Sequence, residues 1–233
     1  MESTTYAPKR AKQNDREQQA PPLVNGDHLT RTEFERRYAA HPHIKKAELI
    51  EGVVHMPSPV SIYHGKIHAN IIAWLGVYRA NTAGLFLVDN ATLRLDLDNE
   101  VQPDAMLYAA PEKGGRIQIE ENYLAGKPEL IVEVSVSSAA YDLYEKMRIY
   151  QRNGVQEYLV LLSYEQETRW FQLVEGEYIL MEPDQDGRLT SQVFPGLHFH
   201  ADLFWEDDLA ALLKVLQSGL DSPEHQAFVA QLE

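Results

Sequence analysis

The chain of 233 residues has no cysteine. That excludes disulfides, thiolate nucleophiles and cysteine-bound zinc. No apolar run approaches the roughly 18 residues of a membrane span, and the N-terminal stretch lacks the apolar core of a signal peptide. A cytoplasmic protein with no membrane partner is the expectation. Basic residues are also scarce: 21 Lys and Arg stand against 35 Asp and Glu, a formal charge of −14. Proteins that grip nucleic acid non-specifically usually carry a basic surface. Any chemistry on a phosphate polymer must here rest on a local basic cleft, on metal ions or on a partner. No glycine-rich phosphate loop is present, because Lys113-Gly114-Gly115 lacks the flanking pattern. No G-x-S-x-G elbow offers a serine nucleophile. His64 and His68 are four apart, but the residues between them include no glutamate of the zinc-protease kind.

What is present is an ordinary globular composition, 44% hydrophobic and 24% charged. Residues 1–27 are polar with adjacent prolines and read as an N-terminal tail. The body is expected over 28–217 and a C-terminal tail over 218–233. "LTRTEFERRYAAH" predicts a short helix capped by Thr30 or Thr32, and "KAELIEGVVHM" predicts a strand. In "SIYHGKIHANIIAWLGVYRAN", His64, Ile67, His68, Ile71, Leu75 and Tyr78 recur at helical spacing on one face. "LFLVDN", a strand with alternating Leu93, Leu95 and Leu97, and "VQPDAML" follow. The pattern continues with "PELIVEVS", a helix from Asp142 to Arg152, the strand "EYLVLLS", a hairpin turning at Glu175-Gly176, and a helix over 206–217. Helices alternating with strands predict an α/β sheet of mixed direction covered by helices.

Within that frame Glu133 stands out. It lies inside the apolar run Leu130-Ile131-Val132-Glu133-Val134, where an unpaired carboxylate costs several kcal/mol. It must pair, neutralise or bind a cation. Asp104 follows Pro103 at the start of another strand, and Lys146 lies on the helix after Glu133. Lys146 falls about 60° from the Leu143–Met147–Tyr150 seam, so its stem can follow the packed face and bring the ammonium to the sheet. Two carboxylates from neighbouring strands form a hard oxygen site suited to Mg²⁺ or Mn²⁺. Simpler readings exist: a buried structural ion pair for Glu133, turn chemistry for Asp104, and a surface pair with Asp142 for Lys146. His198 and His200 would share a strand face and read as structural.

Pro103-Asp104 followed by the strand with Glu133-Val134-Ser135 resembles the PD-(D/E)XK nuclease superfamily. The wider series "AELIEG", "VQPDAML", "KPELIVEVS", "DLYEKMRIY" and "NGVQEYLVLL" is similar to a bacterial branch described as restriction endonucleases, over about Lys46 to Trp205. The resemblance implies an α/β restriction-endonuclease-like fold, with a mixed β-sheet flanked by helices and added hairpins. It implies a metal-dependent endonuclease acting on DNA, with Asp104 and Glu133 as ligands of Mg²⁺ or Mn²⁺. It also implies an upstream acidic residue, Glu48 or Glu51, and His64 near the site. A homodimer is expected because cutting two DNA strands commonly uses two sites. One position departs from the pattern. The superfamily's lysine would stand where this chain has Ser135, and Lys146 is the residue expected to replace it. The rival expectation is a nuclease fold with eroded chemistry, kept as a binding or assembly module.

Overall fold

In the computed structural model the described residues are 20–57, 59–136 and 139–232. The expected N-terminal tail lies outside them as far as residue 19. The rest of that stretch is packed: Leu23 is buried with Phe34 and Leu49, and the Gly26 N–H donates to the Val54 carbonyl. The body therefore extends back to about residue 20, ahead of the expected start at His28.

Helix α1 (Arg31–Ala40) begins at Thr30, whose hydroxyl accepts from the Glu33 N–H. The single strand expected next is a hairpin, β1 (Glu48–Ile50) and β2 (Val53–His55). Glu51 and Gly52, with φ of 50° and 75°, reverse the chain between them. Helix α2 (Ile62–Ala80) buries Ile71, Trp74, Leu75 and Tyr78. Strands β3 (Leu85–Asp89), β4 (Leu93–Arg94), β5 (Glu100–Val101) and β6 (Ala105–Ala109) follow. The alternation through Leu97 is not realised as strand, and Leu97 is 77% exposed. Asp96 Oδ1 instead accepts from the Asp98 N–H and the Asn99 side chain, a local turn that competes with the ladder.

Strands β7 (Ile117–Glu120), β8 (Tyr123–Gly126) and β9 (Leu130–Ser135) lead to a π-helical turn, Tyr141–Lys146, which runs into α3 (Met147–Asn153). Then come β10 (Glu157–Leu162), β11 (Glu167–Val174), β12 (Glu177–Leu180), β13 (Arg188–Thr190) and β14 (His198–His200). The chain closes with α4 (Ala201–Trp205), α5 (Leu209–Leu220) and α6 (Pro223–Leu232). The segment expected as a C-terminal tail is thus helical, with Leu220, His225 and Leu232 buried. No helix among the described residues is long and apolar enough to cross a membrane.

The strands form two mixed six-stranded sheets, ordered β2-β1-β5-β4-β8-β7 and β12-β11-β10-β9-β6-β3, plus the β13–β14 pair. In the second sheet β9 and β10 are parallel, and the segment joining them contains α3. Leu130, Val132 and Val134 on one face of β9 share a core with α2 and α5, while Ile131 on the other face packs with Ile149 and Tyr150 of α3. A strand covered on both faces reads as a continuous apolar run, which is the setting that makes Glu133 conspicuous.

Candidate functional site

Asp104 and Glu133 are brought together by strand register. β6 runs antiparallel to β9 with Ala105 opposite Val132 and Met106 opposite Ile131. One further step sets Asp104 opposite Glu133, with both side chains on the α3 side by the period-two rule. Both are buried, as are Glu48, Asp142 and Lys146.

Lys146 lies at the centre. Its Nζ is 2.9 Å from Glu133 Oε1, 3.1 Å from Glu48 Oε1 and 4.0 Å from Asp142 Oδ1. It also stands 5.6 Å from the centroid of the Tyr141 ring, close enough for a cation–π contact. Glu48 comes from β1 in the first sheet and Glu133 from β9 in the second, so the ammonium ties the two sheets. Glu48 Oε1 also accepts from the Gln102 N–H at 2.7 Å, and Glu133 Oε1 accepts from the Tyr150 hydroxyl at 2.8 Å. The wide π turn carries Lys146 to this position. Asp142 is buried beside it, so the exposed helix pair anticipated for Asp142 and Lys146 is instead part of an internal network.

His64 stands at the other end of the cluster. Its Nε2–H donates to Asp104 Oδ2 at 3.2 Å, and the same oxygen accepts from the Val134 N–H at 2.7 Å. The His64 Nδ1 has no hydrogen-bond partner among the described residues. His68, one turn on, donates from Nε2 to the Asp104 carbonyl at 2.9 Å. The Ser61 hydroxyl accepts from the His64 N–H and sets where α2 begins.

The electrostatics follow from burial and neighbours. Burial works to raise the Asp104 carboxyl, but the hydrogen bond and charge of His64, nearby Lys46 and the Val134 N–H outweigh it, and Asp104 is held below the usual carboxylate range. Burial raises Glu133; Lys146 opposes this, and Asp104, Asp142 and Glu48 add to it. Burial would lower Lys146, but Glu133, Glu48 and Asp142 hold it well above its ordinary value. Three buried carboxylates therefore face one buried ammonium, while Asp104 lies against His64.

The carboxylates of the cluster are hard oxygen donors, the ligand type that divalent cations such as Mg²⁺ take. Among the described residues, no group of three or more His, Asp and Glu side chains is placed so that it could hold a metal ion. Lys146 already spans two of the acids.

Of the residues singled out in the sequence, Asp104, Glu133, Lys146, Glu48 and His64 share this cluster. Glu51 does not. It pairs with Arg148 and Arg152 on the surface. Ser135 is buried at the end of β9. Tyr150, Asp142 and Gln102 were not singled out as site residues. Tyr150 follows Lys146 by four residues on one helix face, a spacing that could have marked it; the Gln102 contact is made through its backbone and leaves no trace in residue type.

A mixed sheet with an acidic strand interior, an aspartate opposite it and a lysine from the crossover helix defines a restriction-endonuclease-like α/β protein. The chain belongs to the Uma2 family, described as "Putative restriction endonuclease", whose family profile matches residues 31–203. Its fold is also similar to a solved structure from Anabaena variabilis, described as a "putative nuclease belonging to DUF820". That similarity has a TM-score of 0.52 at 16% identity and covers 75% of this chain and 90% of the other. No curated protein matches the chain.

Proposed function

We propose that the protein is a metal-dependent endonuclease that hydrolyses DNA phosphodiester bonds at the Asp104–Glu133–Lys146 cluster. The observation that carries this reading is the Lys146 ammonium at 2.9 Å from Glu133, in a chain whose strand offers Ser135 where the superfamily has lysine. Asp104 and Glu133 would hold Mg²⁺ or Mn²⁺. When bound, such an ion activates water and offsets charge on a phosphoryl oxygen.

The chain's own groups prepare the rest. His64 and the Val134 N–H keep Asp104 ionised and fix one of its oxygens. With Nε2 committed to Asp104, His64 keeps that carboxylate in place, and its Nδ1 has no hydrogen-bond partner among the described residues. Glu48 and Tyr150 orient Lys146 and Glu133, and the ammonium stabilises negative charge that builds on the phosphate. Two copies of the site would serve two DNA strands, so a homodimer is the assembly this reading implies.

The test is nicking of supercoiled plasmid by wild type in Mg²⁺ or Mn²⁺ against EDTA, with Glu133→Gln alongside. Metal-dependent nicking that Glu133→Gln lacks is the expected result. If wild type leaves DNA intact in either metal, the fold serves as a binding or assembly module with eroded chemistry, the reading that the −14 charge favours.

A further inference from the structure

Two tyrosines lie open to solvent at the two ends of the buried cluster. Tyr63 precedes His64 in the first turn of α2 and is 66% exposed. Tyr144 lies two residues before Lys146 in the π turn and is 72% exposed. Val60 and Ile62, next to Tyr63 in the chain, are exposed as well, so this end of α2 presents apolar surface to water. The His55 ring packs on Tyr141 with centroids 4.7 Å apart, which sets the end of β2, from which the chain leads into α2, against the π turn. Charge is distributed differently. Lys66 is held by Asp207 and Arg169 by Glu167, each at 2.7 Å. Lys46, two residues ahead of Glu48, helps to hold Asp104 ionised and forms no ion pair among the described residues.

A duplex meets a protein through the phosphates of both strands, and each contact draws on a cation or another donor. A chain of formal charge −14, with its nearby Lys66 and Arg169 already paired, is ill suited to that mode. An unpaired strand offers base faces instead, and stacking them on an aromatic ring needs no positive charge. We infer that Tyr63 and Tyr144 are stacking platforms for bases flanking a phosphate that Lys46 receives, so that the site takes DNA as an unpaired strand. The inference rests on the nuclease reading given above and adds the strandedness of the substrate to it. Bases inside a duplex are stacked on their neighbours and reach a side chain only after being pulled out, at a cost in unpairing. In a homodimer each copy would hold one separated strand.

The experiment is fluorescence anisotropy in Ca²⁺ with a labelled oligothymidylate and a labelled hairpin duplex, alongside sedimentation velocity of the protein alone. Wild type should bind the unpaired strand at least about tenfold more tightly than the duplex, the scale of two stacked bases. Tyr63→Ala and Tyr144→Ala should each lose at least about fivefold on the unpaired strand and melt like wild type, because both side chains are exposed. Tyr63→Phe keeps the ring and should bind the strand as wild type does. Lys46→Ala should weaken both DNAs alike and reduce the salt slope by about one phosphate contact. Duplex bound as tightly as the unpaired strand, or alanine variants that bind like wild type, would overturn the inference and leave the nuclease reading to plasmid nicking. If Tyr63→Ala splits a wild-type dimer without changing strand affinity, this face joins two copies of the chain and the inference fails. Binding to neither DNA would also overturn it, and the nuclease reading falls with it only where plasmid nicking is absent too.

Discussion

Single residues in this protein carry charge where burial opposes it, and their partners are legible in the geometry. Tyr150 donates to Glu133 Oε1 at 2.8 Å from a fully buried position. Tyr150→Phe keeps the ring and deletes that donor, so chemical denaturation should show a loss of about 1.5–3 kcal/mol, the range for hydrogen bonds to charged groups. Glu157, at the start of β10, is a separate case. It accepts from the Ser191 hydroxyl and from the Gln192 and Val193 N–H groups, yet burial pushes its carboxyl up to about 7. The unfolded chain releases that proton near 4.3. A carboxyl raised in the folded state favours folding below the unfolded value, and this contribution is lost as pH rises through about 7. Glu157→Gln should therefore flatten the stability profile between about pH 4.5 and 7. The difference from wild type should be on the order of 3 kcal/mol across that window, measured by urea denaturation at each pH. Identical profiles would show that Glu157 titrates normally.

At the scale of elements, the site depends on a hairpin that sequence pattern did not separate. Alternation in "KAELIEGVVHM" marks extended chain but cannot locate a reversal, and Glu51-Gly52 reads as turn chemistry only once both residues are known to have positive φ. The reversal sets β1 beside β5 and so aims Glu48 at Gln102 and Lys146. A Cβ at Gly52 would lie 3.3 Å from the Leu29 carbonyl in backbone that disfavours side chains. Gly52→Val should cost about 1–2 kcal/mol and weaken the Glu48 contacts. A variant that melts like wild type would show that the turn adapts freely. The β9 strand and the crossover helix were legible from apolar runs and spacing. The π turn was not, because a helix with one wider turn has nearly the same residue pattern as one without. It converts the anticipated Asp142–Lys146 surface pair into a buried one. For that reason Lys146→Met, which keeps the apolar stem, should cost about 3–5 kcal/mol, the scale of breaking a buried pair, and not the small loss expected of an exposed helix position.

Across the whole molecule, the limits of the folded body differ from those that composition implies. Leu23 packs under α1 and Gly26 bonds to β2, features that a polar segment rich in proline does not advertise. A chain starting at His28 should melt several degrees below one starting at Ala20, reflecting loss of one buried leucine and its backbone bonds; equal melting temperatures would show that these contacts contribute nothing. Three cations that could meet a phosphate backbone are already engaged. Lys66 pairs with Asp207, Arg116 with Glu129, and Lys146 is internal. DNA affinity measured in Ca²⁺ should consequently fall with salt on a shallow slope, corresponding to no more than about three phosphate contacts. A slope as steep as that of a basic DNA-binding protein would point to a surface not apparent in these contacts.

The central claim is that the buried lysine serves chemistry and not only the pairing of two sheets. The most direct measurement is the single-turnover cleavage rate of Lys146→Met in Mn²⁺ against wild type, on samples whose circular dichroism shows the same folded state. The account predicts that wild type cuts and that the variant is slower by at least roughly 100-fold, the loss expected when one preorganised electrostatic contact is removed. A folded Lys146→Met that cuts DNA as fast as wild type would contradict it, and Lys146 would then be a structural cation alone.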